Sequence, residues 1–248
     1  MFQKLRKSKK LVLIAMACAT FAIAGCGSDT TKSTADNGKS VTWSETFDGT
    51  KTDFAVKSSP THAVSMSQAT TEMMLQLGLE DKMAGTAFKE EEIYPPLQAA
   101  YDKVKVLSDK WPSYEVFMSV KPDFATGWPD SFSKRAIPAD KMIAQKVNIW
   151  LPESMLSTKA DLETNFNDMI KLGEIFGVKP KAEEWVAGQR KTLEAIQTKL
   201  KDLPRKRVFI YDSEDGQPFT AFEGYTTNIL KLIGADNVMS GLGVDKTW

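Results

Sequence analysis

Residues able to bind a ligand cluster in the loops that follow the predicted strands. Four of them are aromatic, and rings of this size can bury a large, flat, partly apolar molecule, although core or surface packing would explain each ring equally well. Three are basic and could meet an anionic group, with ordinary solvated surface as the alternative. Two small polar residues follow the first of these strands. The candidates are Ser67, Gln68, Lys110, Trp111, Trp128, Lys134, Arg135, Phe219 and Tyr225.

Cys26 is a candidate for covalent modification, because it closes the run Ile23–Cys26 behind a signal-like segment. Five Lys and Arg residues precede an apolar stretch from Leu11 to Ala22, the usual length of a signal-peptide core and too short to span a bilayer comfortably. The pattern resembles a bacterial lipobox, which implies removal of residues 1–25 and diacylation of the Cys26 thiol. An ordinary secretory signal is the alternative. We therefore expect a protein outside the cytoplasm, held at the membrane by its lipid.

Composition excludes several function classes. Without residues 1–25 the chain has 223 residues with 27 basic and 32 acidic side chains, a formal charge of −5, which argues against a nucleic-acid partner. Cys18 would leave with the signal, so no disulfide is expected. His62 is the only histidine, which argues against an imidazole-based metal site. Neither a Gly-x-Ser-x-Gly elbow nor a Gly-rich phosphate loop occurs, so we expect no enzyme and no cofactor.

Periodicity predicts an α/β fold. Residues 27–39 are small and polar and predict a flexible tether. Alternation on both sides of Asp48-Gly49 predicts a hairpin over residues 41–56. Apolar runs at 62–66, 82–86, 124–128, 147–151 and 207–211 then alternate with helical patterns, which is typical of parallel sheets. Apolar spacing from Lys181 to Leu203 predicts one helix about 34 Å long, between Pro180 and Pro204.

An internal echo lies on either side of the long helix. Residues 70–85 and 226–241 align without a gap, and each follows an apolar strand. We interpret the echo as two Rossmann-like lobes joined by one rigid helix, with chance similarity of two amphipathic helices as the alternative. Few residues follow Gly241, so we expect a truncated chain with an incomplete second lobe. The predicted divisions are a signal peptide (1–25), a tether (26–40), an N-terminal lobe (41–160), a helical region with the connecting helix (161–204) and the start of a C-terminal lobe (205–248).

Three motifs in this order carry a family resemblance: Ala63–Glu72 followed by Leu77-Gly78-Leu79, then Val120–Phe124, then Arg207–Tyr211. The chain resembles the helical-backbone class of solute-binding proteins (periplasmic binding protein class III), which serve ABC importers of ferric siderophores, haem and cobalamin. The resemblance covers nearly all residues from 41 to 248. It implies a monomer that binds a small metal chelate between its lobes and hands it to a permease driven by a cytoplasmic ATPase.

The resemblance also implies roles for particular residues. Most relatives of this kind carry iron chelates, so an iron(III)-siderophore is the first expectation. In the cobalamin-binding members aromatic residues line the cleft at the positions of Trp111, Trp128, Phe219 and Trp248, so a corrinoid is the alternative. Glu115 matches an acidic residue that docks to the permease, although an acid in the first turn of a helix also complements the helix dipole. An extracytoplasmic hydrolase and an adhesion lipoprotein remain remote alternatives.

Overall fold

The computed structural model describes residues 40–157, 159–214 and 216–242. Its first element is an antiparallel hairpin of β1 (Val41–Phe47) and β2 (Thr50–Val56), paired along their whole length. Asp48 and Gly49 between them both have positive φ, at 47° and 78°. Two such residues give the turn whose twist matches that of the strands. The predicted hairpin is therefore confirmed.

The first lobe contains one parallel five-stranded sheet in the order β5-β4-β3-β6-β7. Because the chain starts in the middle and builds outward in both directions, the order reverses beside β3. Ligands of open α/β sheets bind outside the carboxyl ends of the strands at such a reversal. The strands are β3 (Ala63–Ser65), β4 (Met83–Ala87), β5 (Val106–Ser108), β6 (Phe124–Thr126) and β7 (Asn148–Trp150).

Helices cover both faces of this sheet. Val64, Ala125 and Ile149 belong to a core on one face, whereas the alternating neighbours Phe124 and Trp150 belong to the core on the other face. The sequence placed a loop after β5 and a helix start at Glu115 without giving the extent of β5 or α3, and it did not indicate α4, because each of these elements is short. The first-lobe helices are α1 (Gln68–Gln76), α2 (Gln98–Tyr101), α3 (Tyr114–Ser119) and α4 (Ala139–Ala144), with 3-10 turns at Glu80–Lys82, Pro95–Leu97, Pro129–Phe132 and Glu153–Met155.

The hairpin covers the open edge of the sheet at β7. The Trp43 indole Nε1 donates to the carbonyl of Ile149 at 2.7 Å, and the backbone N–H of Leu151 donates to Glu45 Oε1 at 3.0 Å. Two side chains of β1 thus satisfy backbone groups that an edge strand would otherwise leave unpaired.

Two antiparallel helices follow, α5 (Leu162–Ile175) and α6 (Lys179–Leu200). Asp161 and Thr164 form a capping box at the start of α5. Helix α6 is continuous over 22 residues, which corresponds to about 33 Å. The prediction of one long helix is confirmed, with both ends two or three residues earlier than expected. None of the helices in the described part of the chain is both long and apolar enough to cross a membrane.

A second, separate parallel sheet follows α6. It pairs β8 with β11, and α7 connects them, just as α1 connects the parallel strands β3 and β4. The two echoed segments therefore lie in different sheets, and the predicted architecture of two α/β lobes with a long helix is confirmed. The elements are β8 (Lys206–Val208), β9 (Ser213–Glu214), β10 (Pro218–Phe219), α7 (Tyr225–Leu232) and β11 (Ala235–Asn237).

Candidate functional site

The loops after β3, β5 and β6 meet at one backbone carbonyl. Met66 O, directly after β3, accepts a hydrogen bond from Trp111 Nε1 at 3.1 Å and another from Ser131 Oγ at 3.2 Å. Gly127 allows this close approach, since a Cβ at that position would lie 3.0 Å from the Cβ of Met66. The carboxyl end of the sheet is therefore a fixed surface rather than a set of independent loops.

Three half-buried aromatic residues stand on this surface, and we call Phe88, Trp111 and Trp128 the aromatic wall. Phe88 follows β4 and stacks on Trp111, with ring centroids 4.6 Å apart and planes 22° from parallel. The Lys110 ammonium lies 5.2 Å from the Phe88 centroid. Phe88 has a φ of 59°, a left-handed conformation that is unusual for a bulky residue and concentrates at functional sites.

Ser67 and Gln68 contact the protein itself. Ser67 is fully buried, and its hydroxyl accepts the Thr70 N–H as the N-cap of α1. Gln68 extends over the β4 loop, where its amide bonds to the backbone of residues 90–92. Both residues lie at the predicted end of the sheet, in supporting positions beneath the surface that carries the aromatic wall.

The two basic residues after Trp128 are exposed. Arg135 forms an ion pair with Asp130, which neutralises part of its charge. Lys134 lies beside it on the same exposed segment. Of the three predicted basic residues, only Lys110 is brought against the aromatic wall.

The two described second-lobe candidates lie on different elements. Phe219 is 41% exposed in the β9–β10 hairpin. Tyr225 opens α7, where burial raises the pKa of its phenol and the negative charges of Asp161 and Asp168 raise it further. Next to it, Asn228 Nδ2 donates to the carbonyl of Ala160 at 3.0 Å, so this end of α7 rests on the start of α5. Trp248 and Cys26 lie outside the described residues.

Glu115 is an exposed residue in the first turn of α3. Its own backbone N–H, the Ser113 hydroxyl and the nearby Lys141 charge lower the pKa of its carboxyl group. Glu115 is therefore a stable negative charge on the surface, a geometry that suits both the docking role and the helix-dipole role.

Sequence reasoning missed several residues of this region. Phe88 directly follows a strand that the pattern did predict, so the same rule that selected Trp111 would have found it. Two buried acids behind the end of β7 carried no such signal. Burial raises the pKa of Glu45 to about 7, against the hydrogen bond from Leu151 N–H, and Glu153 and Asp168 raise it further. Burial also raises the pKa of Asp168, whose oxygens accept the N–H groups of Glu153 and Ser154 at 2.8 and 2.9 Å.

Comparison with known proteins gives a consistent group. A family model described as "Periplasmic binding protein" matches residues 64–247. An uncharacterized ABC transporter substrate-binding lipoprotein of Bacillus subtilis is 26% identical over 240 residues, covering 93% of this chain and 73% of that protein. A vitamin B12-binding protein of Vibrio vulnificus is 24% identical over 180 residues, and the match spans 72% of this chain but only 61% of that protein's length.

Solved structures agree. A crystal structure of a periplasmic binding protein from Veillonella parvula is 96% identical, with a TM-score of 0.84 over 85% of this chain and 71% of that one. An ABC-type Fe3+-hydroxamate transport protein from Saccharomonospora viridis shares the fold at 19% identity, with a TM-score of 0.64 over 83% of this chain and 72% of that one.

Proposed function

This chain belongs to the periplasmic binding protein family, and we propose that it captures an iron(III)-siderophore-type chelate between its two lobes for delivery to the permease of an ABC importer. Members of this family are binding components of transport systems rather than enzymes. The relatives named for ABC transport and for Fe3+-hydroxamate transport support this assignment.

The aromatic wall carries the proposal. Phe88 and Trp111, which follow β4 and β5, form a stacked pair at the carboxyl end of the sheet, and Trp128 follows β6 on the other side of β3. These half-buried rings still expose apolar surface to water. A large ligand would cover that surface, and its removal from water is the main favourable contribution to an apolar contact. Lys110 beside this pair adds one cationic group.

The remaining parts of the proposal complete the transport role. Phe219, Tyr225 and Trp248 of the second lobe would cover the ligand from the side opposite the aromatic wall. Lys134 and Arg135 of the first lobe would lie at the rim of the cleft. Glu115 would dock lobe one to the permease, as a rim charge that sets orientation more than affinity. Cys26 would carry the lipid that anchors a monomer to the membrane. The boundaries at residues 25, 40, 160 and 204 belong to the same proposal.

Cobalamin is the second candidate. The match to vitamin B12-binding proteins supports it, as do the large aromatic residues at the strand ends, which would suit the broad face of a corrinoid.

A binding titration of the purified protein tests the proposal. Ferric hydroxamate, ferric catecholate, ferric citrate and cobalamin are added in turn while tryptophan fluorescence and heat of binding are recorded. We expect one class to bind, and we expect Phe88→Ala to weaken that binding at least about fivefold, because a stacked aromatic contact contributes about 1 kcal/mol beyond its buried area. Tyr94→Ala, which removes an exposed ring of the same loop outside the stacked Phe88–Trp111 pair, is the matched control. A wild-type protein that binds none of the four would refute the proposed function.

A further inference from the structure

The Gln68 side chain uses its whole hydrogen-bonding capacity to hold the loop after β4. Its Oε1 accepts the backbone N–H groups of Glu90 at 2.9 Å and Glu91 at 2.7 Å. Its Nε2 donates to Glu92 O at 3.2 Å and to Glu72 Oε1 at 2.9 Å. A carboxamide can accept two hydrogen bonds and donate two, so both ends of this amide are saturated.

The neighbouring turn of α1 extends the same support. Glu72 Oε1, which Gln68 orients, also accepts the backbone N–H of Tyr94 at 3.2 Å. Gln68 thus holds the backbone of residues 90, 91 and 92, and Glu72 of the same helix holds that of residue 94. A segment held at so many points presents its own side chains in a defined place.

The side chain presented in this way is that of Glu90. Its Oε2 lies 3.4 Å from the Nε1 of Trp128, within the aromatic wall. A carboxylate on an exposed residue therefore lies beside one ring of the wall that would bury a ligand. A ligand bound there would exclude water from this carboxylate and strengthen its electrostatic effect.

The net charge of the surrounding loops is negative, like that of the Glu90 carboxylate. Residues 88–92, 109–112 and 128–135 together contain four basic and five acidic side chains. Arg135 and Asp130 pair with each other, which leaves three basic and four acidic side chains in these loops. The surface is therefore poorly suited to a polyanionic ligand, in spite of the basic residues that the sequence brings to notice.

We propose that Glu90, positioned by Gln68 against Trp128, is a specificity-determining residue that selects electroneutral chelates bearing N–H or O–H donors and rejects anionic ones. The inference rests on the proposed function, whose site it refines. A ligand that brings a carboxylate or catecholate charge to Glu90 meets repulsion at short range, while an amide or hydroxyl group gains a charge-assisted hydrogen bond. Neutral ferric hydroxamates and corrinoids both satisfy this requirement.

Glu90→Gln tests the inference, with Glu91→Gln as a control that removes the same charge one residue away. The probes are a neutral ferric tris-hydroxamate, cyanocobalamin, ferric citrate and a ferric tris-catecholate. We expect the wild type to bind one neutral probe and to discriminate against both anionic probes. Glu90→Gln should reduce that discrimination about tenfold, the effect of removing one charge at short range in a partly solvated site, and Glu91→Gln should leave it within about twofold. Which of the two neutral probes binds shows whether the ligand is a ferric hydroxamate or a corrinoid.

Gln68→Met provides a second variant, because it removes the four hydrogen bonds and keeps the charge of Glu90. We expect the ratio of affinities for neutral and anionic probes to fall as it does in Glu90→Gln, a ratio that a general loss of stability would not change. Equal discrimination in Glu90→Gln and Glu91→Gln, or a wild type that prefers ferric citrate, would overturn the inference while leaving chelate binding intact. A wild type that binds no probe would overturn both proposals.

Discussion

The buried carboxyl group of Glu45 makes the stability of this protein depend on pH near neutrality. Its pKa rises from 4.5 to about 7 on folding, and the side chain is only 7% exposed. Between these two pH values the folded state holds a proton that the unfolded chain releases. The stability contributed by this proton is complete below pH 4.5 and is lost as the pH rises through 7. At about 1.4 kcal/mol per pKa unit, the loss approaches about 3 kcal/mol.

Glu45→Gln should remove this dependence. The substituted amide keeps an oxygen for the Leu151 N–H and carries no charge near Asp168 and Glu153. We expect urea unfolding to show the variant more stable than the wild type by about 2–3 kcal/mol at pH 8, and nearly equal to it at pH 5. Glu92→Gln, an exposed acid on a loop, controls for the change in net charge. A variant that gains the same stability at both pH values, or that is less stable at pH 8, would refute the reasoning.

Two further predictions concern one packing contact and one hydrogen bond that support the fold. A Cβ at Gly173 would lie 2.6 Å from the Cβ of Ala182, so Gly173→Ala should destabilise the α5–α6 pair by about 1–3 kcal/mol. Adding Ala182→Gly should recover part of that loss, and urea unfolding that shows the two changes to be simply additive would contradict the contact. Trp43→Phe keeps a ring beside Phe54 but leaves the carbonyl of Ile149 without its donor. It should cost about 1–2 kcal/mol in the same assay, and an unchanged midpoint would show that water replaces the indole.

The fold was largely predictable because its signals are local and repeated. The alternation around Asp48-Gly49 predicts the hairpin, and the long apolar stripe before Pro204 predicts α6. The echo of residues 70–85 in residues 226–241 predicts two βαβ units in separate sheets. Strand β5 has only three residues and an exposed Val106, so its identity depends on pairing with β4, which no local pattern records.

The site was predictable at its aromatic residues and less so at its polar ones. Trp111 and Trp128 could be selected because they follow apolar strands, and the structure brings both to the carboxyl edge of the sheet. The ion pair of Arg135 with Asp130 could not be predicted, because it depends on a 3-10 turn that has no clear signature in the sequence. Gln68 could be selected as a candidate, but its support of the loop after β4 could not be inferred, since that support depends on backbone groups more than 20 residues away.

The loops after β4 and β7 are held by the same hydrogen-bonding arrangement, with a carboxamide in the first and a carboxyl group in the second. In each, one helical side chain accepts the N–H groups of two consecutive residues: Gln68 those of Glu90 and Glu91, and Asp168 those of Glu153 and Ser154. The carboxamide of Gln68 cannot titrate, whereas burial raises the pKa of the Asp168 carboxyl and of Glu45 behind the same loop. Both loops rest on a lobe joined to the next by a continuous helix, which resists wide hinge motion. We therefore expect a change of pH near neutrality to affect the loop after β7 before it affects the hydrogen bonds of Gln68 to the backbone of residues 90–92, which involve no titratable group.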